Sequence, residues 1–388
     1  SGLILIDEGI RETLKVPAGE QIICWFLYHR EGVTLMSIMM NEDQIKQMFG
    51  DKEARDLQII VRNQTAAALI EGHKRILVIM PTGSGKTITS GLILIDEGIR
   101  ETLKVPAGEQ IICWFLCHRQ RLLSQAEIAY AAEESIKIIT VSTSGEIPTD
   151  HTPHIIIYDE AHHEATLSVQ MRLEKITVAP MIGFTANEVD ARGDGRLCKF
   201  SKIIQPMTRA EAVAAGYLAE SHVYSFIDSS RSLVEIGLDI AAQCHDFMGQ
   251  TMPFLKTKKE AIAFHEGLLK LGLKSQLLVD LSENELNYQL DRFEKGEYQY
   301  GVSCMKLGEG VDVRGCQSIM NLRKLRSRGL LNQFIGRASR PDCPCYIFEV
   351  IDPLTTNLDA TSIVGVPKEH KIYYKVRGDW RTHVLIAA

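Results

Sequence analysis

The chain has 388 residues, 45% of them apolar and 24% charged, which suits a soluble globular protein of two or three domains of roughly 150 residues and excludes disordered, collagen-like and coiled-coil chains. Its 43 basic and 49 acidic residues leave a net charge of −6, so a global basic footprint for nucleic acid is absent and only a local basic groove stays open. No apolar run approaches the ~18 residues of a membrane span, the first residues lack the basic start of a secretory signal, and nine scattered cysteines read as reduced thiols; the expected place is the cytoplasm or nucleoid, away from membranes.

Residues 1–30 reappear as residues 90–119, with Tyr28 against Cys117 as the only difference. Structural repeats keep buried positions and drift on the surface, so a copy this faithful is not a solenoid. It reads as a recent duplication or a mis-joined segment. An extra unit used for swapping or regulation is the alternative. Residues 1–35 are therefore set apart as a duplicated, non-functional segment. From about Glu42, expected strands over 76–80, 110–117, 136–141, 154–158 and 179–184 alternate with helices over 86–104 and 122–134. The run 76–80 is all apolar, as in a strand buried on both faces. Residues 188–220 read as a crossing segment. A second alternation follows, with strands over 222–227, 252–255, 275–279, 299–304, 318–321 and 346–350. Its helices fall over 233–248, 259–271, 284–295 and 330–337. The expected class is α/β, with two mainly parallel sheets in tandem over 42–210 and 211–388.

Pro81-Thr82-Gly83-Ser84-Gly85-Lys86-Thr87 sits between a buried strand and a helix, the context a P-loop needs. Small residues let backbone N–H groups wrap a phosphate, Lys86 reaches the outer phosphates, and Thr87 offers its hydroxyl to Mg²⁺. Met80 stands where the generic pattern has Gly. Ile155-Ile156-Ile157-Tyr158-Asp159-Glu160-Ala161-His162 is an apolar strand ending in two acids, Asp159 being 73 residues beyond Lys86. Open α/β sheets bind ligands at the carboxyl ends of their strands. Asp159 would hold Mg²⁺, and Glu160 would orient and deprotonate an attacking water. Gln333-Phe334-Ile335-Gly336-Arg337-Ala338-Ser339-Arg340 places Arg337 and Arg340 on one face if helical. Planar guanidinium groups suit phosphate oxygens.

These segments, with Gly183-Phe184-Thr185-Ala186 and Gly308-Glu309-Gly310-Val311-Asp312, resemble the ordered motifs of superfamily 2 helicases of the DEAH type. Asp159-Glu160-Ala161-His162-His163 and Ala215-Gly216-Tyr217-Leu218 resemble the branch that holds RadD-type repair helicases and the motor subunits of type I and type III restriction enzymes. The resemblance covers about residues 55–352 and implies two RecA-like domains with ATP and Mg²⁺ in the cleft between them. It implies catalytic roles for Lys86, Asp159, Glu160, Gln333, Arg337 and Arg340. Nucleotide contacts would come from Arg62, Gln64, Thr82, Gly83, Ser84, Gly85, Lys86, Thr87, His162, Gly310 and Asp312. Gln64 can donate and accept at once, which suits the adenine edge. Thr185 would couple hydrolysis to strand binding, although Asn187 replaces the usual Thr-Pro. Arg119, Thr143, Ser144, Thr257, Lys258, Ser303 and Lys306 match segments that touch the nucleic-acid backbone, where polar groups read phosphates without reading sequence.

The resulting expectation is an ATP-dependent helicase or translocase, with DNA favoured over RNA. The alternative is a nucleic-acid-stimulated ATPase acting as a sensor, or as a subunit beside a partner protein or nuclease, without unwinding of its own. His151, His154, His162 and His163 suggest a metal site only by proximity. Cys343-Pro344-Cys345 lacks a second pair at zinc-ribbon spacing. The basic run from Arg323 to Arg328 fits a strand path and a solvated loop equally well.

Overall fold

The computed structural model describes residues 56–117, 127, 130–131, 133–143, 148, 151–161, 179–186, 200–304, 313, 315–324, 328–339, 341, 343–351, 359–376 and 379–385, with the backbone of 24–29 and 32–37. The first sheet is six-stranded, in the order β5-β4-β6-β7-β3-β8, and every pairing is parallel. Its strands are β3 (Arg75–Ile79), β4 (Ile111–Cys117), β5 (Ile136–Ser142), β6 (Ile155–Tyr158), β7 (Met181–Thr185) and β8 (Lys202–Ile204). The apolar runs are buried on both faces. Ile76 and Val78 enter one core cluster, and Leu77 and Ile79 enter the cluster on the other side. Helices α1 (Asp56–Ile70), α2 (Lys86–Leu94) and α3 (Glu97–Thr102) contribute to the first of these clusters.

The second sheet has eight strands, in the order β11-β12-β10-β13-β14-β9-β15-β16. These are β9 (Ser221–Ile227), β10 (Thr251–Leu255), β11 (Ser275–Leu277), β12 (Tyr300–Cys304), β13 (Ser318–Leu322), β14 (Cys345–Ile351), β15 (Glu369–Val376) and β16 (Asp379–Leu385). All pairings are parallel except β15 with β16. Its helices are α5 (Leu233–Met248), α6 (Lys258–Lys270), α7 (Glu283–Glu294), α8 (Arg328–Ala338) and the short α9 (Thr361–Val364). The crossing between the sheets carries α4 (Arg209–Ala214). Thr208, Ser232, Thr257 and Ser282 each close a capping box with a Glu three residues on, which fixes where α4, α5, α6 and α7 begin.

Three expectations are corrected. The helix expected over 86–104 is two helices, because Asp96 accepts the Ile99 N–H at 2.9 Å and caps α3 while pairing with Arg62 of α1 at 3.4 Å. The crossing segment includes β8, which extends the first sheet beside β3. The second sheet is longer than expected, by the antiparallel pair β15–β16. The helix expected over 122–134 lies largely outside the described residues. In the duplicated segment, β1 (Cys24–His29) pairs antiparallel with β2 (Gly32–Ser37), as a separate two-stranded sheet.

Candidate functional site

Parallel pairing brings the carboxyl ends of β3, β6 and β7 to one edge. Ile79 is level with Thr185, and Met80 N donates to Thr185 O at 2.9 Å. The loop after β3 turns on Gly83 (φ +89°) and Gly85 (φ +91°), a region in which a side chain is strained. Ser84 secures the turn by donating its hydroxyl to Pro81 O at 2.7 Å. Gly85 also leaves room for Gln58, since a Cβ there would lie 2.3 Å from Gln58 Nε2. That amide donates to Ser84 O at 3.2 Å.

Lys86 is the first residue of α2, and its Nζ lies 3.9 Å from Glu160 Oε1, both side chains being largely buried. Glu160 follows β6 with φ +53°, an unfavourable left-handed backbone of the kind that clusters at functional sites. Its N–H donates to Asp159 Oδ1 at 2.9 Å, and Asp159 N donates to Leu116 O of β4 at 2.9 Å. The two acids are thus held by neighbouring strand ends. Thr87 is exposed beside them, one residue into α2. Tyr130 braces this helix by donating to Thr87 O at 2.9 Å.

From the second sheet, α8 reaches the P-loop. A Cβ on Gly83 would lie 3.5 Å from Gly336 O, and a Cβ on Gly336 would lie 2.3 Å from Thr82 Cγ2. Asn332 Nδ2 donates to Ala186 O, just past β7, at 3.3 Å. Gln333 is buried on the same helix, and Phe334 stacks on Phe254 of β10 with ring centroids 3.9 Å apart. Arg337 is half-buried and lies near Cys316, whose thiol burial pushes up to about 12 while the Arg337 charge opposes it. Among the described residues, the buried Thr82 Oγ1, Lys86 Nζ and Gln333 Oε1 here have no hydrogen-bond partner. The Lys86 ammonium and the Thr82 hydroxyl beside a glycine turn can donate to an anionic phosphate, and the Gln333 oxygen can accept from a water or hydroxyl there; such atoms are costly to leave unpaired.

Other expected residues fall elsewhere. Gln64 is exposed on α1, and Arg62 is spent on Asp96 and on Asn63 Oδ1. Gln58 is the glutamine that meets the P-loop. Helical spacing carries the missed signal, because six residues rotate a side chain well round the helix. Thr143 is buried at the end of β5, its N–H on Cys117 O at 3.0 Å. Thr257 caps α6, Lys258 pairs with Asp280, and Ser303 is fully buried on β12. Thr185 is fully buried at the end of β7. Arg119, Ser144, His162, Lys306, Gly310, Asp312 and Arg340 lie outside the described residues.

Two parallel sheets flanked by helices, a P-loop on one and an arginine-bearing helix on the other, define a protein with tandem RecA-like domains. Residues 51–154 match the type III restriction enzyme res subunit family, and residues 231–342 match the helicase conserved C-terminal domain. The chain thus carries both domains of a helicase-type motor, one matched in each half. It is 26% identical over 367 residues to the putative mitochondrial ATP-dependent helicase irc3 of Schizosaccharomyces pombe, an alignment covering 79% of this chain and 59% of that protein. The chain thus spans little more than half the length of this relative. Its fold is similar to a fragment of a putative HsdR subunit of a type I restriction enzyme from Vibrio vulnificus, with TM-score 0.66 and 18% identity over 95% of this chain and 81% of that one. It is also similar to the type ISP restriction-modification enzyme LlaBIII bound to DNA, with TM-score 0.59 and 15% identity over 92% of this chain and 32% of that one.

Proposed function

We propose that the chain is an ATP-driven translocase or helicase acting on DNA, with the nucleotide held between the P-loop and α8. The observation that carries this is the approach of Gly336 to Thr82 beside the buried Lys86 ammonium and Thr82 hydroxyl, neither of which makes a hydrogen bond among the described residues. Residues 42–210 would form the first motor domain and 211–388 the second, with 1–35 a dispensable copy. Bound with Mg²⁺, ATP supplies the phosphoanhydride that water cleaves. The Lys86 ammonium holds the outer phosphates. The Thr87 hydroxyl and Asp159 carboxylate hold Mg²⁺. Glu160 takes the proton of the attacking water, and its ion pair with Lys86 must loosen for both to act. Gln333, Arg337 and Arg340 meet the transferred group from the second domain, so hydrolysis depends on the two domains closing. Gln58 fixes the loop from behind.

Opening and closing would then shift one strand-holding surface against the other. Thr257 and Lys258, with Arg119, Ser144 and Lys306, are the groups proposed to line that path, and the buried Thr143 and Ser303 would support it from beneath. DNA is preferred because the similar LlaBIII structure is a DNA complex. Among the described residues no helix is long and apolar enough to cross a membrane. The test is ATP turnover with single-stranded DNA, duplex DNA, forked DNA and RNA side by side, followed by strand-displacement and triplex-displacement assays. Stimulation by DNA with displacement supports the proposal. Turnover indifferent to every nucleic acid overturns it.

A further inference from the structure

The crossing between the two sheets touches both halves of the proposed nucleotide site. Arg209, the first residue of α4, donates from Nη2 to Ser339 Oγ at 2.6 Å. The Ser339 hydroxyl donates in turn to Ile335 O at 2.7 Å, one helical turn back. Ser339 O accepts from Ala219 N at 3.1 Å. Leu218, beside Ala219, is buried with Cδ2 3.6 Å from where a Cβ on Gly83 would stand. Residues 209–219 therefore form a strap from the P-loop to the end of α8. Ser339 lies two residues beyond Arg337, so whatever holds its hydroxyl and carbonyl also fixes the turn that carries that arginine.

The Arg209 guanidinium holds Ser339 at a cost. Its Nε and Nη1 are buried and make no hydrogen bond. Burial lowers its pKa, and among the described residues the Cys345 thiol opposes the effect and no carboxylate does. A buried cation with no carboxylate beside it among the described residues costs stability, and an apolar side chain of similar length would pack there more favourably. Local choices that work against stability are characteristic of functional positions.

We propose that Arg209 is a positioning residue for ATP hydrolysis, acting through Ser339 to fix the last turn of α8 and so the aim of Arg337. This rests on the nucleotide site proposed above. Arg337→Ala therefore serves as the reference: if it leaves turnover intact, the site itself is wrong, whatever Arg209 does. With that reference in place, kcat and KM for ATP and the thermal midpoint are measured for Arg209→Met, Ser339→Ala and the double variant of the full chain. A hydrogen bond to a charged group corresponds to about a tenfold effect or more. Arg209→Met is expected to lower kcat by about tenfold with KM little changed, while the thermal midpoint holds or rises. Ser339→Ala should lower kcat similarly, and the double variant should fall no further than the worse single, because both remove one link. Unchanged kcat in Arg209→Met overturns the proposal. So does a parallel fall of kcat and thermal midpoint with losses that multiply in the double variant.

Discussion

Gly336 and Thr82 come from different sheets and stand so close that a single added carbon on Gly336 would lie 2.3 Å from Thr82 Cγ2 and 2.4 Å from its Cβ. No shift of a flexible side-chain end relieves this, because Thr82 branches at that carbon. Gly336→Ala should hold α8 away from the P-loop. Inside a helix, Ala is otherwise favoured over Gly by about 1 kcal/mol. The expected result is turnover lowered by at least about tenfold, as for one lost transition-state contact, with no loss of thermal midpoint. Normal turnover in this variant would mean that the contact does not belong to the hydrolytic state.

Lys86 and Glu160 face each other at 3.9 Å, and their substitutions should separate binding from chemistry. Lys86→Ala removes the cation and should weaken nucleotide binding. Glu160→Gln keeps the size of the side chain and loses the base, so ATP should still bind while hydrolysis slows by about 100-fold or more. Binding is read by equilibrium titration of a fluorescent nucleotide, and hydrolysis by phosphate release. A Glu160→Gln variant that turns over at the normal rate would remove Glu160 from the mechanism.

Gln58 and Gln64 make a sharper contrast. Gln58 is buried against Ser84 and Gly85, whereas Gln64 is exposed. Gln58→Ala should raise KM for ATP severalfold by loosening the loop, since a hydrogen bond from a buried amide contributes about 1 kcal/mol. Gln64→Ala should leave KM unchanged. The reverse pattern would restore the sequence expectation that Gln64 serves the nucleotide.

What was legible in the sequence divides along physical lines. The central strands of both sheets are apolar runs bounded by glycines and charges, so their residues announce burial on both faces. The P-loop and the two acids after β6 are local patterns tied to strand ends, which parallel pairing then gathers at one edge. Features set by partners distant in sequence were not legible. Ile203 in β8 is 56% exposed, so that three-residue edge strand carries no burial pattern. In β15, Lys371, Tyr373 and Lys375 share one face with Trp380 of β16, and cations over aromatic rings blur the apolar alternation. Asp96 read as one more helical residue because its partner Arg62 lies on another helix.

Glu349 gives a pH signature. It is buried on β14, accepts from Ser225 Oγ at 2.9 Å and from Ala360 N at 2.7 Å, and burial raises its carboxyl to about 7 against those hydrogen bonds. The folded state thus keeps a proton that the unfolded state releases near 4.5. Stability from this group is fully present below that value and falls as pH rises through the folded value, by on the order of 3 kcal/mol. His370, which touches Ser225, has its pKa lowered by burial and works the opposite way below its ordinary 6.5. Because Glu349→Gln keeps His370, the comparison isolates the carboxyl. The variant's thermal midpoint should gain on the native chain as pH goes from about 5 to 8. A constant difference across that range would mean that Glu349 is not protonated in the fold.

The duplicated segment supplies the last test. Its strand β1 repeats residues 113–118 apart from Tyr28, yet β4 pairs in parallel between β5 and β6 while β1 pairs antiparallel with β2. The slot in the first sheet is filled by the twin that adjoins its own helix, at high effective concentration. The copy lacks Gly83–Thr87, the residues that make that helix useful. A two-stranded hairpin on its own is marginally stable in water, and the β-prone run over 21–27 is an aggregation hazard where exposed. A chain beginning at Met36 should therefore keep its nucleic-acid-stimulated turnover and give a sharper size-exclusion profile than the full chain. If the shortened chain folds, with an unchanged thermal midpoint, but loses its stimulation, the copy has a role in the motor and the reading of residues 1–35 as dispensable is wrong.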